Sequence, residues 1–206
     1  MTNETTAAPL ESAATPRPLG TYDANPRGIS LFGLISEDYA THGRRLLAPG
    51  FWAIAAHRFG NWRKGIKPAF FALPFSIVYH CLYTGINWLW GIDLSYCVPL
   101  GRRVRIWHHG GIVIGALSIG DDVHIRQNTT MGLLNRNDGE AAKPVVEDRV
   151  DIGVGVCILG AVTVGHDSVI GANTVVVKDV APHSTMFGIP ARPVRMLRPD
   201  AGKDPA

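Results

Sequence analysis

Residues 146–176 read VEDRVDIGVGVCILGAVTVGHDSVIGANTVV. Every sixth residue, Val146, Ile152, Ile158, Val164, Ile170 and Val176, is aliphatic, and Gly153, Gly165 and Gly171 directly follow three of them. A helix repeats every 3.6 residues and a strand every two, so a strict period of six requires a short strand plus a turn, repeated. Val150, Val156, Val162, Ser168 and Thr174 stand two residues before members of the series and point to the same side of an extended segment. The pattern predicts a parallel β-helix, in which each coil buries its aliphatic column on the next and no repeat is stable alone.

Toward the N-terminus the same period continues. Leu100, Ile106 and Ile112 hold one phase, and Ile119, Ile125 and Met131 follow in a phase displaced by one residue. One coil is therefore expected to carry an insertion or bulge. From Gly132 to Lys143 the repeat stops for a polar run, Asn135-Arg136-Asn137-Asp138-Gly139-Glu140, and it resumes at Val146. A loop extruded from a rigid repeat costs little stability and commonly carries function, which makes this one a candidate wall of a site. At the other end, Val180-Ala181-Pro182 leaves the repeat and Gly188-Ile189-Pro190-Ala191-Arg192-Pro193 follows, with prolines that forbid a further coil. The β-helix is expected over residues 92–195 and a frayed polar tail over 196–206.

Residues 1–27 are rich in Thr, Ala and Pro and lack hydrophobic periodicity, so a disordered tail without a secretory signal is expected. Residues 28–91 read as a small helical cap. Leu31, Leu34, Ile35 and Tyr39 make one helical stripe with Glu37 and Asp38 toward its solvated edge, and Phe51, Ile54, Ala55, Phe59 and Trp62 make a second. Residues 68–92 hold no Lys, Arg, Asp or Glu before the terminal Gly91-Ile92. Their length suits a bilayer span, but Pro74, His80, Thr84 and Asn87 dilute the run, so it reads as a buried helix or subunit interface, with a peripheral membrane contact as the alternative.

At 206 residues with 46% apolar content, the chain is long enough to bury a core. A net charge of +3 without a basic stripe gives no support to nucleic-acid binding. Cys81, Cys97 and Cys157 are odd in number and lack metal-ligand spacing, which points to reduced thiols in a cytoplasmic protein without a zinc motif.

The hexapeptide columns, the extruded loop and the closing Gly-Ile-Pro-Ala-Arg together resemble the left-handed β-helix acyltransferases. The order of helical cap, Gly91-Ile92-Asp93, and a His ahead of Gly111-Ile112-Val113-Ile114-Gly115 resembles the serine acetyltransferase branch. The resemblance implies the left hand of the coils, acetyl-CoA as co-substrate without a metal, and a homotrimer with sites shared between adjacent subunits. It implies His108 as the general base and Asp93 as the carboxylate that orients it. It also matches Gly132, Val154, Gly155 and Ala172 to backbone positions along the CoA groove, with Lys178 and Arg192 facing the phosphates and the Gly132 N–H as an oxyanion donor.

Two positions depart from the family. Serine acetyltransferases carry Asp before the catalytic His and Arg-His-Pro at the end of the extruded loop, where this chain has Trp107 and Ala142-Lys143-Pro144. A zwitterionic acceptor loses partners for both its charges. Trp107 offers a flat face suited to a sugar ring, with His109 and Lys143 as neighbours in acceptor binding. The run Ile106-Trp107-His108-His109-Gly110 also resembles exopolysaccharide O-acetyltransferases of the colanic acid type. The expected activity is O-acetylation of a sugar hydroxyl of a surface polysaccharide or its precursor, in the cytoplasm or at the inner face of the membrane, with L-serine as the alternative acceptor. A metal-dependent lyase of the γ-carbonic anhydrase type needs a His triad whose spacing His108, His109 and His124 lack. A non-catalytic scaffold is the remaining alternative.

Overall fold

Three hexapeptides make one coil, so residues far apart in the repeat come into register one above another. The computed structural model describes Pro18 and residues 20–194, with three helices followed by a left-handed parallel β-helix. One face of the prism stacks strands Ile92–Leu94, Ile112–Ile114, Thr130–Gly132, Cys157–Leu159 and Val175–Val176; the second stacks Ser118–Ile119, Val145–Val146 and Thr163–Val164. The third stacks Arg105–Ile106, His124–Ile125, Asp151–Ile152, Val169–Ile170 and Thr185–Phe187, capped by the antiparallel strand Arg192–Pro193. Met186 pairs with Pro193, so the chain doubles back where the prolines were expected to stop the coils.

The aliphatic series at residues 146–176 visits three separate columns in turn. Ile106, Ile125, Ile152, Ile170 and Met186 form the first. Leu94, Ile114, Met131, Ile158 and Val176 form the second, and Leu100, Ile119, Val146, Val164 and Val180 the third. No member is more than 8% exposed. Val150, Val156, Val162, Ser168 and Thr174 are buried beside them, as the spacing predicts. At many corners one residue takes a left-handed backbone, among them Asp122, Asn128, Asp167 and Asn173, residue types that tolerate positive φ.

The phase slip lies elsewhere than its reading from sequence. Ile114, not Ile112, is the column member in its coil, because Ile114 pairs with Met131 while Ile112 pairs with Ile92. The corner at residues 107–111 therefore holds two extra residues, and the next corner is one residue short. Ile112 and Ile114 are both aliphatic and both buried, so composition did not separate them.

The cap comprises α1 (Leu31–Thr41), α2 (Pro49–Trp62) and α3 (Leu73–Trp90). Ser30 caps α1 by accepting from Gly33 N at 3.1 Å, and Gly91, at φ 61, ends α3 and turns the chain into the first strand. Asp38 is not on a solvated edge. It is fully buried, and Arg58 Nε donates to its Oδ2 at 3.0 Å while Arg58 Nη1 and Nη2 donate to Leu100 O (2.8 Å) and Gly101 O (2.5 Å). An apolar stripe carries no signal of this pairing, because the partner Arg58 lies on α2. The expected tail to residue 27 is tied down at its end, where Ala24 N donates to Asn61 Oδ1 (3.2 Å) and Asn25 Nδ2 donates to Arg58 O (2.9 Å). Residues 1–17 and the tail expected over 196–206 lie outside the described residues. Of the buried helix or subunit interface expected over 68–92, burial within the chain needs correction: within α3 only Tyr79 and Ile86 are buried.

Candidate active site

The enlarged corner between Ile106 and Ile112 carries Trp107, His108 and His109, all exposed. Gly110 and Gly111 close it with φ of 98° and 63°. A Cβ on Gly111 would sit 2.5 Å from Asn128 Oδ1, just as one on Gly155 would meet Asn173 Oδ1, so Gly111 is the ordinary corner residue and the extra length lies before it. His108 shares a cleft of about 560 Å³ with Trp107, Ile106 and the loop between α1 and α2, which contributes Arg45, Leu46 and Leu47.

Arg105, on the strand leading into the corner, lays its guanidinium 3.5 Å from the Trp107 ring centroid, and the His124 ring meets Trp107 edge-on at 5.7 Å. One indole face is therefore already covered, which removes part of the flat surface expected for a sugar. Neither Arg45 nor Arg105 has a carboxylate partner among the described residues. Burial, then the charge of Arg45, holds the Arg105 guanidinium below its usual value, the signature of two cations sharing a region without an anion.

The expected pair of His108 and Asp93 is not formed. Asp93 Oδ1 accepts from Tyr83 Oη at 2.5 Å, and no hydrogen bond reaches either ring nitrogen of His108 among the described residues. Burial, with the Asp93 carboxylate beside it, pushes the Tyr83 hydroxyl far up, so it remains a donor to Asp93 at neutral pH.

Asp93 opens instead on a second cleft of about 370 Å³, lined by Tyr83, Ser95, Glu140 and Lys143. Lys143 is ion-paired with Glu140 inside the extruded loop. The acceptor-binding set of Trp107, His109 and Lys143 is thus divided within one chain: Trp107 lies in the His108 cleft and Lys143 in the Asp93 cleft.

The expected cofactor residues are divided in the same way. Val154, Gly155 and Ala172 line up along one corner, where Val154 O accepts from Asn173 N (2.8 Å) and Gly155 N donates to Gln127 O (3.0 Å). Lys178 and Arg192 come together elsewhere, in a cavity of about 170 Å³ at the closing end of the coils. Gly132 O accepts from Gly160 N at 2.9 Å. In a parallel ladder a residue's N–H and C=O bond to the same neighbour, so the Gly132 N–H faces that strand and is not free for an oxyanion.

The fold also gathers a group that the spacing of histidines did not reveal. His166, Asp167 and His183 present ligand atoms within 4.8 Å of one another because successive coils stack their corners. Arg149 is bidentate on Asp167 (2.7 and 2.8 Å), placing a fixed cation where a metal would approach. The trio borders the Arg149–Asp167 ion pair, and Arg103 makes separate pairs with Asp122 and Glu37.

No family model matches the sequence. The chain is 36% identical to the serine acetyltransferase of Mycobacterium tuberculosis over 158 residues, 75% of this chain and 64% of that protein. It is 35% identical to the Salmonella typhimurium serine acetyltransferase over 150 residues, 71% of this chain and 51% of the relative. The chain thus spans less than two thirds of the length of either. Among solved structures, soybean serine acetyltransferase complexed with serine superposes with a TM-score of 0.66 at 29% identity, covering 80% of this chain and 70% of that one. The Brucella abortus serine acetyltransferase in complex with coenzyme A gives a TM-score of 0.66 at 26% identity, over 78% and 66% of the two chains. Across the cap and the coils, this chain is similar in sequence and in fold to the serine acetyltransferases, and its left-handed β-helix is of their kind.

Proposed function

We propose that the chain is an acetyl-CoA-dependent O-acetyltransferase with His108 as general base and L-serine as acceptor. The named relatives favour serine over the sugar hydroxyl expected from the sequence. The observation that carries the reading is the corner itself: an imidazole with no hydrogen-bond partner among the described residues stands in a cleft beside cations with no carboxylate partner among them, which suits an acceptor bearing both a hydroxyl and a carboxylate. In the reaction His108 takes the proton of the acceptor hydroxyl as its oxygen attacks the thioester carbonyl. The C–S bond then breaks, and the CoA thiolate leaves with the proton returned by the imidazolium.

His108 is exposed in the single chain, and a base open to water is poorly matched to acyl transfer. We therefore place the working site in a homotrimer, with a neighbouring subunit covering the corner and its CoA along the Val154, Gly155 and Ala172 edge. Thiol release from acetyl-CoA with L-serine and with a panel of sugars tests the acceptor. Turnover with serine is expected, falling on the order of 10²-fold or more in His108→Ala. Arg105→Gln is expected to raise the KM for serine and leave that for acetyl-CoA unchanged. Release with sugars alone would favour the second reading, a polysaccharide O-acetyltransferase, which rests on Trp107 and Lys143 standing where the serine enzymes carry charges for a zwitterion. Intact turnover in His108→Ala would overturn both.

A further inference from the structure

The outer side of α3 is an exposed apolar surface that the proposed chemistry does not use. Its exposed residues are Leu73, Pro74, Phe75, Ile77, Val78, His80, Cys81, Leu82, Trp88 and Leu89, nearly all apolar, and Phe70 and Phe71 extend the patch ahead of it. Trp88 and Leu89 are 84% and 77% exposed. A patch of this extent on a soluble surface marks an interaction site. The opposite side is fixed to the rest of the chain: Tyr79 packs edge-on against Tyr96, Tyr83 donates to Asp93, and Ile86 joins the core. The helix is therefore held flat by its inner side and cannot cross a bilayer end-on without leaving those partners.

Charge distinguishes what covers it. From Tyr39 to Ile92 the sequence contains no Asp or Glu, but six cations, Arg44, Arg45, Arg58, Arg63, Lys64 and Lys67. Arg58 and Arg63 are buried; Arg44, Arg45 and Lys67 are exposed, with Lys67 at the end of the apolar patch nearest Phe70 and Phe71. An apolar helix face that begins at an exposed lysine and has no acidic side chain in its segment matches a membrane interface with anionic headgroups. Two copies meeting α3 to α3 would bring Lys67 of each to the same apolar surface with no acidic side chain between Tyr39 and Ile92 to pair it.

We infer that the cap docks in the plane of an anionic lipid surface, with the outer side of α3 in the acyl boundary and Lys67 at the headgroups. The inference stands whichever acceptor the site uses.

The full chain is to be sedimented with vesicles of phosphatidylcholine alone and of phosphatidylcholine mixed with phosphatidylglycerol, at low and high salt, with light scattering on the same samples. Binding is expected on the anionic vesicles and is expected to weaken with salt. Trp88→Glu with Leu89→Glu should reduce it on the order of 100-fold, and Lys67→Glu alone roughly tenfold. Circular dichroism and oligomeric state should be unchanged in both. Lys67→Glu tests the idea even if the double variant fails to fold. Wild-type chain that ignores anionic vesicles overturns it, as does binding that survives both substitutions. A double variant that falls from oligomer to monomer, beside a wild type that does not bind lipid, assigns the face to a second copy instead.

Discussion

The interior of the coils and the seam under the cap both exclude water, yet they are built from opposite chemistry. The coil interior is three aliphatic columns whose backbone groups are satisfied by the ladders between strands, and its few hydroxyls are small: Thr129 donates to Arg126 O and Ser168 to Ala181 O. The seam holds Asp38, His42, His57, Arg58 and Asn61, all buried. His57 Nε2 donates to Val98 O (2.8 Å), and His42 accepts from Ile106 N while its Nδ1 donates to Asp38 O (2.7 Å). The two bonds to His42 fix its neutral tautomer, and burial keeps the His57 ring neutral. A repeat can stack on itself in any register that buries its columns, whereas a helical cap has no repeat to match. Directional bonds to Val98, Leu100, Gly101 and Ile106 are what hold it at one place on the first coil.

Breaking one partner in the seam is expected to have the largest effect. Asp38→Ala leaves the Arg58 charge buried and unpaired, at a cost of about 3–5 kcal/mol in urea denaturation. The double change Asp38→Leu with Arg58→Met should recover much of that loss. A double variant no better than the single one would show that the seam does not work as a pair. In the columns, Ile158→Ala opens a cavity between Met131 and Val176 and should cost about 3 kcal/mol, the transfer term plus the void.

The next contrast is pH. Burial pushes His57 down to about 3 and lowers His42 as well. The unfolded chain takes up protons below about pH 6.5 while the folded seam resists, so the seam's stability is complete above that pH and is lost as pH falls toward 3. Between pH 7 and pH 5 the wild type is expected to lose ~2 kcal/mol more than His57→Gln, which keeps the donor to Val98 O but does not titrate. Equal losses in the two proteins would remove His57 from the account. The smallest effect is in the columns, where Thr174 Oγ1 is buried without a partner. Thr174→Val is expected to be neutral or stabilising by about 1 kcal/mol, read as a shift in thermal midpoint.

Much of the fold was legible because a period of six needs no knowledge of distant residues: the aliphatic columns, the loop at residues 133–143 and the break after Val180 are all local signals. The phase slip was half legible. Its net size of one residue could be read, but its division into two residues gained at 107–111 and one lost before Ile119 required seeing which isoleucine faces Met131. His108 was legible only through resemblance to a family, and the bond that Tyr83 makes to Asp93 left no signal in the spacing. Trp107 looked like an open face until Arg105 was found stacked on it.

By itself, then, the sequence determined that the chain coils, because the burial of a strict repeat is decided within each hexapeptide and its neighbours. Only the tertiary structure decided where the cap sits, that Asp93 bonds to Tyr83, and which side of α3 is left uncovered. Those depend on groups such as Asp38 and Arg58, or Asp93 and Tyr83, that meet across the chain, where spacing carries no signal and hydrogen-bond geometry and exclusion of water decide the outcome.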